Sequence, residues 1–319
     1  MSFPQLPRYS DTVVIGGGTA GAAVAGLLAE QGGQSVLLLE AGPDYGHLSE
    51  GRWPPELLRG NVIGDTHDWC YSSASSMGLP GHPLQRARVI GGCSSHNGCI
   101  ALWGSSADYD AWAAAGNGGW STGEVLSHFR NAGRRLRVRN FEPGEVNPYH
   151  EACLEAMIAA GISPTADLNR MDEDAGAALA PVNIWRGMRW GTHFAYLDPV
   201  RDRKELTVVG DALVDKINLD RHRAASVDFI RAGEKATVEA GRVVLSAGAY
   251  GSPSVLLRSG IGPAEDLSEL GISTRIDLPG VGRNLHDHPS FSMRHYGTQI
   301  FDSLMKDFIA DGSTVFAEQ

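Results

Sequence analysis

The sequence predicts an α/β fold organised around a parallel sheet, and one short region carries most of the evidence. Residues 12–15 form a β-branched apolar run that leads directly into three glycines at 16–18. Residues 20–30 are rich in alanine and leucine with helical spacing, and residues 35–39 form a second apolar run that closes on Glu40. Continuously apolar strands are typical of parallel sheets that are covered on both faces. The region therefore predicts a βαβ unit.

A second β-rich region follows in the C-terminal half of the chain. Short apolar or alternating runs predict strands at 206–209, 212–218, 226–231, 236–239 and 242–245. Helical spacing and stop signals predict helices at 108–112, 122–131, 150–160, 252–259 and 302–309. Pro253 falls in the first turn of the fourth of these helices, where a missing N–H is harmless. Residues 313–316 begin a further strand-like run.

Length and composition limit the class of protein. A chain of 319 residues, 42% of them hydrophobic, can bury a large core, and about 150 residues per domain predicts about two domains. The formal charge of −10 opposes binding to nucleic acid or to an anionic membrane surface, so neither partner is expected. No apolar run approaches the length of about 18 residues that a membrane span needs.

The four cysteines form neither a CxxC pair nor a regular framework; they are Cys70, Cys93, Cys99 and Cys153. A disulfide scaffold or a metal site is therefore not expected, and a reduced, cytoplasmic setting fits best. The N-terminus has no charged head followed by a long apolar core, so no signal peptide is predicted.

Gly16, Gly18 and Gly21 satisfy the pattern GxGxxG between the first predicted strand and helix. In this context the first glycine permits a tight turn, the second admits a pyrophosphate to the backbone, and the third lets the helix pack closely on the sheet. Glu40, nineteen residues after Gly21, would accept hydrogen bonds from the ribose hydroxyls of an adenosine, which disfavours NADP. The motif therefore predicts a Rossmann-like site for FAD or NAD, and the alternative is a glycine-rich turn that merely packs.

The stretch 91–97 reads GGCSSHN, a glycine pair followed by small polar residues, histidine and asparagine. Small side chains let the backbone approach a flat ligand. A single histidine such as His96, considered without its neighbours, is more often a core residue with satisfied hydrogen bonds than a catalytic group. The stretch resembles the first signature of the glucose-methanol-choline (GMC) oxidoreductase family, and its wording is especially similar to that of choline oxidase-like members. Residues 248–262 resemble the second family signature, and residues 278–289 resemble the family's loop near the flavin.

The resemblance implies an α/β fold in which a Rossmann-like FAD-binding domain is interleaved with a partial α+β substrate-binding domain. On this basis residues 1–145 are the first part of the FAD-binding domain and residues 146–205 a substrate-domain segment. Residues 206–288 are then the second part of the FAD-binding domain, and residues 289–319 the start of the substrate-binding domain. Because family members are usually longer, the chain is expected to be a truncated, N-terminal portion.

The resemblance also implies roles for individual residues. In choline oxidase-like relatives the histidine of the first signature is bonded covalently to the flavin 8α-methyl group, which transfers that role to His96. Asn97 and Gly98 are then expected beside the isoalloxazine, with Gly98 closest to N5, and Val214 is expected to place backbone groups against the adenine. The residues expected to contact FAD are Gly16, Gly18, Thr19, Ala20, Gly21, Glu40, Ala41, Arg88, Gly91, Gly92, Ser95, His96, Asn97, Gly98, Val214, Ala247 and Gly248.

The implied chemistry is oxidation of the CH–OH group of an alcohol. An imidazole takes the hydroxyl proton while hydride leaves the same carbon for flavin N5. In the family that base lies near the C-terminus, in a region expected to be absent from this chain. His288 and His286 lie in the predicted flavin loop; His288 is a candidate base, although a turn fixed by Asp287 is the simpler role. His193 is expected to be structural or exposed.

The substrate and the competing functions are less constrained. Ser290 stands where choline oxidases carry a glutamate that faces the quaternary ammonium, so a neutral primary or secondary alcohol is expected. The alternatives are a choline dehydrogenase or oxidase, a non-catalytic FAD-binding half or pseudoenzyme, and an NAD-dependent dehydrogenase, which explains neither family signature. The expected partners are the alcohol, a second chain that supplies the C-terminal part, and further copies in a homo-oligomer.

Overall fold

The structure is a computed structural model that describes residues 6–60, 62–75, 78, 80–142, 144–172, 176–288 and 296–310, with the side chains of 308–310 left out. Two expectations fall outside these residues. Ser290, which bears on the substrate, is one, and the strand-like run at 313–316 is the other. Of the last predicted domain segment, 289–319, only residues 296–310 are described.

The described residues form eight α-helices and twelve strands. The helices are α1 Thr19–Gln31, α2 Pro55–Leu58, α3 Ser106–Ala114, α4 Thr122–Arg135, α5 Pro148–Ala159, α6 Gly248–Arg258, α7 Ala264–Glu269 and α8 Gln299–Ala310. The strands are β1 Tyr9–Ile15, β2 Val36–Leu39, β3 Tyr71–Ser72, β4 Pro83–Leu84, β5 Ile184–Trp185, β6 Met188–Arg189, β7 Leu206–Val209, β8 Ala212–Asp220, β9 Arg223–Arg231, β10 Glu234–Leu245, β11 Ile261–Gly262 and β12 Ile276–Asp277. A single π-helical turn, His193–Leu197, follows β6.

A six-stranded mixed sheet in the order β7-β2-β1-β10-β9-β8 forms the core of the fold. Strands β7, β2, β1 and β10 are parallel neighbours, with Val14 opposite both Leu38 and Val244. Strands β9 and β8 extend the sheet in antiparallel fashion. Val14 and Leu38 are fully buried, as continuously apolar parallel strands require. The predicted α/β fold with a βαβ unit is therefore confirmed.

Strand β10 corrects one prediction, because it joins two runs that the sequence suggests are separate strands, 236–239 and 242–245. Its first half pairs antiparallel with β9 as far as Glu239, and its second half pairs parallel with β1 from Glu239 onward. Gly241, which suggests a turn, lies within this continuous strand. A Cβ at this position would lie 2.8 Å from the Tyr9 hydroxyl and 2.9 Å from the Asp11 carbonyl oxygen, so glycine is needed for close contact with β1.

Helix α6 corrects another prediction. It begins at Gly248, whereas the predicted helix begins at residue 252, so Pro253 lies inside the helix and not in its first turn. The helix starts earlier because β10 ends at Leu245 and the chain turns at once into α6 through Ser246 and Ala247. Its buried Val255 belongs to the same apolar cluster as the sheet residues Val13 and Phe229.

The chain divides into two compact units, of residues 1–53, 65–96 and 191–291, and of residues 54–64, 97–190 and 292–319. The first unit contains the six-stranded sheet, α1 and α6. It also contains the π-helical turn His193–Leu197, which packs on α1. The second contains α3, α4, α5 and the β5–β6 hairpin. In this division residues 97–145 group with the second unit and residues 191–205 with the first, and the domain boundaries at 145, 205 and 288 stay a prediction.

Arg201 anchors the end of the π-helical region in the first unit. Its guanidinium donates two hydrogen bonds of 2.9 Å to the carboxylate of Asp44 and one of 2.9 Å to Asp198. All three side chains are largely buried. A buried cation held by two carboxylates is strongly destabilised if its partners are lost, so this cluster fixes the segment at 198–201.

Candidate functional site

A cavity of about 890 Å³ lies within the first unit, where three parallel strands end. Ile15, Leu39 and Leu245, the last residues of β1, β2 and β10, line it. In open α/β sheets ligands bind outside the carboxyl ends of the strands. The volume falls in the range of about 300–1,000 Å³ that is typical of sites for small molecules and cofactors. The cavity is therefore the candidate site.

The first glycine motif forms one wall of this cavity. Gly16 turns out of β1 with φ +90°, and a Cβ there would lie 2.5 Å from the Ser246 carbonyl oxygen. A Cβ on Gly21 would overlap the carbonyl oxygen of Gly16, so the third glycine lets α1 pack against the turn. Gly18 is different, because the nearest described atom to an added Cβ is the Gly92 Cα at 3.8 Å. The space beside Gly18 belongs to the cavity, which is what a backbone that receives a pyrophosphate needs.

Two helices begin at the cavity. Helix α1 follows Gly18, which caps it without a side-chain hydrogen bond, and Gly18, Thr19 and Ala20 line the cavity. Helix α6 follows Ala247, which likewise caps without a side chain, and Ala247 and Gly248 line the same cavity. The first N–H groups of a helix and its dipole favour an anion. Two such ends in one cavity suit a ligand with adjacent phosphates.

Glu40 lies at the end of β2 in the cavity wall and is 6% exposed. Its Oε2 accepts the Gly17 N–H and its Oε1 accepts the Gly42 N–H, each at 2.8 Å. Burial raises the pKa of Glu40 from 4.5 to about 7, although these N–H groups and the Arg88 guanidinium oppose the rise. Each carboxylate oxygen can accept a second hydrogen bond, so the side chain can still receive ribose hydroxyls.

The second glycine motif packs directly on the first. The Gly91 N–H donates to the Gly17 carbonyl oxygen at 2.7 Å, and the Ser94 N–H donates to the Thr19 Oγ1 at 3.2 Å. A Cβ on Gly92 would lie 2.6 Å from the Gly18 Cα. The two motifs, some 75 residues apart in the chain, thus form one continuous backbone surface. The sequence predicts that both contact one ligand, but not that they contact each other.

The structure gathers ten of the predicted cofactor residues around the cavity: Gly16, Gly18, Thr19, Ala20, Glu40, Ala41, Gly92, Val214, Ala247 and Gly248. Another five lie in the first unit but are not among the lining residues: Gly21, Arg88, Gly91, Ser95 and His96. His96, 5% exposed, follows the short 3-10 turn Gly92–Ser95. Asn97 and Gly98 belong to the second unit, so their relation to the cavity stays a prediction.

Val214 lies on strand β8 next to an irregularity in its pairing with β9, between Val214 and Lys216. Its carbonyl oxygen accepts a hydrogen bond of 3.3 Å from the Arg258 guanidinium, and both residues line the cavity. The locally interrupted ladder leaves a short stretch of strand backbone at the cavity wall. This is compatible with the predicted contact between Val214 and a base.

An aromatic wall that the sequence reasoning missed completes the cavity. Trp69 and Tyr71 stack with ring centroids 5.6 Å apart, and Tyr71 meets Tyr250 edge-on at 5.4 Å. The Arg86 guanidinium lies 5.2 Å from the Tyr250 ring, and Arg88 lies 4.9 Å from Trp69. The length of the connection at 43–85 is a general signal for ligand contact, but it does not single out these rings.

The histidines of the late loop are exposed. The His288 N–H donates to the Asp287 Oδ1 at 2.9 Å, and the Asp287 carboxylate also pairs with Arg86 at 3.3 Å. Asp287 thereby holds the turn, as the simpler reading of the sequence proposes. His286 lines a second, smaller cavity of about 550 Å³ between α6 and residues 281–286. A catalytic role for His288 stays a prediction.

Neither a metal-binding cluster nor a membrane-spanning helix occurs among the described residues. Within the part of the chain that the structure describes, no group of three or more His, Cys, Asp or Glu side chains could hold a metal ion. Among the same residues, no helix is both long enough and apolar enough to cross a bilayer.

The βαβ unit, the glycine turn and the cavity at the strand ends define a Rossmann-like dinucleotide-binding fold. The chain belongs to the GMC oxidoreductase family, because the family model described as GMC oxidoreductase matches residues 10–290. Human mitochondrial choline dehydrogenase is 37% identical over 295 residues, which are 86% of this chain and 50% of the relative. The oxygen-dependent choline dehydrogenase of Sinorhizobium medicae is 34% identical over 311 residues, 91% of this chain and 55% of the relative. The chain spans about half the length of the curated relatives it matches.

Solved structures agree with this assignment. Pyridoxine 4-oxidase from Mesorbium loti matches with a TM-score of 0.76 and 30% identity, over 84% of this chain and 55% of that one. An FAD-dependent oxidoreductase from Chaetomium thermophilum matches with a TM-score of 0.74 and 26% identity, over 85% and 51% of the two chains. The predicted family and the Rossmann-like fold are therefore confirmed.

Proposed function

We propose that this chain is the flavin-binding part of an FAD-dependent oxidoreductase that oxidises the CH–OH group of an alcohol. The observation that carries the proposal is the cavity at the ends of β1, β2 and β10, into which both α1 and α6 present their N-termini. Membership of the GMC oxidoreductase family supports FAD over NAD as the dinucleotide.

The chain's own residues suggest how FAD is held. The N–H groups at the starts of α1 and α6 bind the pyrophosphate, and Gly18 leaves room for it. The Glu40 carboxylate accepts the ribose hydroxyls, and the backbone at Val214 faces the adenine. The bound flavin supplies an acceptor at N5 for hydride from the substrate carbon.

Covalent attachment through His96 is a finer part of the proposal. The attachment joins an imidazole nitrogen to the flavin 8α carbon. One hydrogen leaves each atom, and the two electrons and two protons pass to an oxidant such as dioxygen. The wording GGCSSHN supports it, as does the burial of His96 at the end of a turn that packs on the pyrophosphate loop. Asn97 and Gly98, which follow His96 in the chain, would then contact the isoalloxazine, and an imidazole base would take the hydroxyl proton.

Gly18→Ala tests the dinucleotide site without disturbing the fold. Its φ of −70° suits any residue, and the added methyl group meets Gly92 at an ordinary 3.8 Å while entering the space of the pyrophosphate. We expect the FAD dissociation constant to rise at least about tenfold, equivalent to about 1.4 kcal/mol, with an unchanged melting temperature. The control is Gly123→Ala in α4, where no described atom lies within 4 Å of the added Cβ. Equal FAD affinity in both variants would contradict the site.

Acid precipitation of the purified protein tests the attachment. Yellow colour that stays in the pellet supports a covalent bond, and its loss after His96→Ala identifies the residue. Colour that washes away from the wild-type pellet removes the role given to His96 but leaves the cavity as a non-covalent FAD site. The two parts of the proposal can therefore fail separately.

A non-catalytic FAD-binding half that requires a partner chain is the second candidate function. The observation in its favour is that no histidine, the type of base that this chemistry uses, is among the described residues that line the cavity. Anaerobic incubation of the FAD-bound chain with choline or with neutral alcohols distinguishes the oxidoreductase from the non-catalytic protein. Bound flavin that stays oxidised with every alcohol supports the non-catalytic protein. Faster reduction by choline than by neutral alcohols would favour a choline dehydrogenase and contradict the expectation from Ser290. A cytoplasmic location and a homo-oligomer stay proposals.

A further inference from the structure

A buried histidine, His193, lies directly behind the turn that carries His96. It is 2% exposed and starts the π-helical turn, a rare conformation that is frequent at functional sites. Its ring stacks on Trp53 with centroids 4.4 Å apart and planes 25° apart. The Trp53 Nε1–H in turn donates to the Gly46 carbonyl oxygen at 3.0 Å, which fixes the indole that supports the imidazole.

The imidazole also forms a hydrogen bond with Ser95, the residue before His96. The Ser95 hydroxyl donates its proton to the Ile90 carbonyl oxygen at 2.8 Å. The Ser95 Oγ lies 3.1 Å from His193 Nδ1. Because a hydroxyl has a single proton, Nδ1 must carry the proton of this second bond and donate it to Ser95. The resulting chain from His193 to Ser95 to Ile90 spans the turn from one end to the other.

The two segments are in close contact at Gly91. Gly91 has φ +86°, and a Cβ there would overlap both His193 Nδ1 and Ser95 Oγ. Thr192, the residue before His193, also contacts this turn, since its N–H donates to the Ser94 Oγ at 3.0 Å. Residues 91–95 and 191–193 are therefore interlocked, and the position of His96 follows from this contact.

We propose that His193 is a positioning residue for His96, acting through its Nδ1–H donation to Ser95. The inference rests on the proposed attachment of flavin at His96 and deepens it. A nucleophilic nitrogen must reach the flavin in a defined direction, and small misplacements of a reacting group cost large factors in rate. A rigid Ser95 therefore raises the rate at which His96 captures the cofactor.

Two substitutions separate the hydrogen bond from simple packing. In His193→Phe the ring and its stacking on Trp53 remain, but the donor is lost. In His193→Asn the ring is lost, but the side-chain amide nitrogen occupies about the place of Nδ1 and keeps a donor for Ser95. If only packing matters, His193→Phe lowers the rate of flavin attachment less than His193→Asn does. If His193 positions Ser95 through its donor, His193→Asn lowers that rate less. His222→Phe, at an exposed histidine between β8 and β9, is the control for an added phenylalanine.

The experiment incubates each flavin-free protein with FAD and measures, over time, the flavin absorbance retained in the acid-precipitated pellet. Melting temperatures are measured in parallel. We expect the attachment rate to fall at least about tenfold in His193→Phe, to stay within about threefold of wild type in His193→Asn, and to be unchanged in His222→Phe.

Three results would overturn the inference. Wild-type attachment rates in His193→Phe would show that the donor is not needed. An equal loss in both variants would show that the ring and its packing matter instead. A wild-type pellet without colour would refute attachment at His96 itself, and with it this inference, whereas a coloured wild-type pellet beside either of the first two results refutes only the role of His193.

Discussion

Glu40 is expected to titrate within the fold at a pH where an unfolded chain has already released the proton. The side chain is 6% exposed, and burial raises its pKa from the ordinary 4.5 to about 7. The N–H groups of Gly42 and Gly17 favour the carboxylate but do not offset the loss of water. Between pH 4.5 and about 7 the native state therefore holds a proton that the unfolded chain lacks.

This difference makes the free energy of unfolding depend on pH. A pKa that rises from 4.5 to about 7 corresponds, at about 1.4 kcal/mol per pH unit, to about 3 kcal/mol. Because the folded state binds the proton more tightly, the stabilising contribution of Glu40 is complete below pH 4.5. It decreases as the pH rises and is lost above about pH 7.

Denaturant unfolding of the flavin-free protein between pH 4.5 and about 8 measures this contribution. In Glu40→Gln the amide N–H₂ group lies near backbone N–H donors. This contact lowers the free energy of unfolding equally at every pH, so it does not change the dependence of that free energy on pH. The free energy of unfolding of wild type minus that of Glu40→Gln is expected to fall by about 3 kcal/mol over this range. Glu265→Gln, an exposed position on α7, is the matched control. Parallel wild-type and Glu40→Gln curves would refute the reasoning.

Three further predictions follow from the same geometry. If ribose hydroxyls bind the ionised form of Glu40, FAD affinity is expected to rise with pH below about pH 7, by up to tenfold per pH unit. In Glu40→Gln the affinity is expected to be independent of pH over this range. Equilibrium dialysis at each pH measures the affinity of both proteins. Gly21→Ala is expected to lower stability by about 1–3 kcal/mol through overlap with the glycine turn, whereas Gly123→Ala should be neutral or stabilising by up to about 1 kcal/mol in thermal denaturation. Arg201→Met is expected to lower the free energy of unfolding by about 3–5 kcal/mol, because it leaves buried carboxylates without their cation. Arg52→Met, at an exposed ion pair, is expected to lower it by at most about 1 kcal/mol. Denaturant unfolding measures both values, and similar losses would contradict the burial of the Arg201 cluster.

The local parts of the fold and site were predictable because their signals are contiguous in sequence. The strand–glycine–helix–strand series predicts β1, α1 and β2 to within about three residues, since apolar runs and helical spacing report burial directly. The prediction of two separate strands at 236–239 and 242–245 is wrong, because Gly241 between them continues the strand in contact with Tyr9, more than 200 residues earlier. Tertiary contact overrides a local preference here.

The aromatic wall shows a different limit. Trp69 and Tyr250 are separated by most of the chain, and neither lies in a pattern that marks a ligand. Tyr71 contacts both rings, and all three line one cavity because the connection at 43–85 and the start of α6 both border the ends of β1 and β10. Only the sheet order, in which β1 lies between β2 and β10, brings these segments together, and sequence periodicity does not contain that order.

Gly91 and Gly92 of the second motif are required as glycines by contacts with other protein segments, whether or not they face a ligand. Gly92 was assigned to the cofactor, and it does line the cavity, but its lack of a side chain is already required by the Gly18 Cα at 2.6 Å from an added Cβ. Gly91 is required by His193 and Ser95 and does not line the cavity. A glycine pair beside a cofactor motif is thus explained here by contact between two protein loops. The shape of the proposed pyrophosphate site depends on that contact, so substitution of Gly91 is expected to weaken FAD binding although Gly91 is not among the residues that line the cavity.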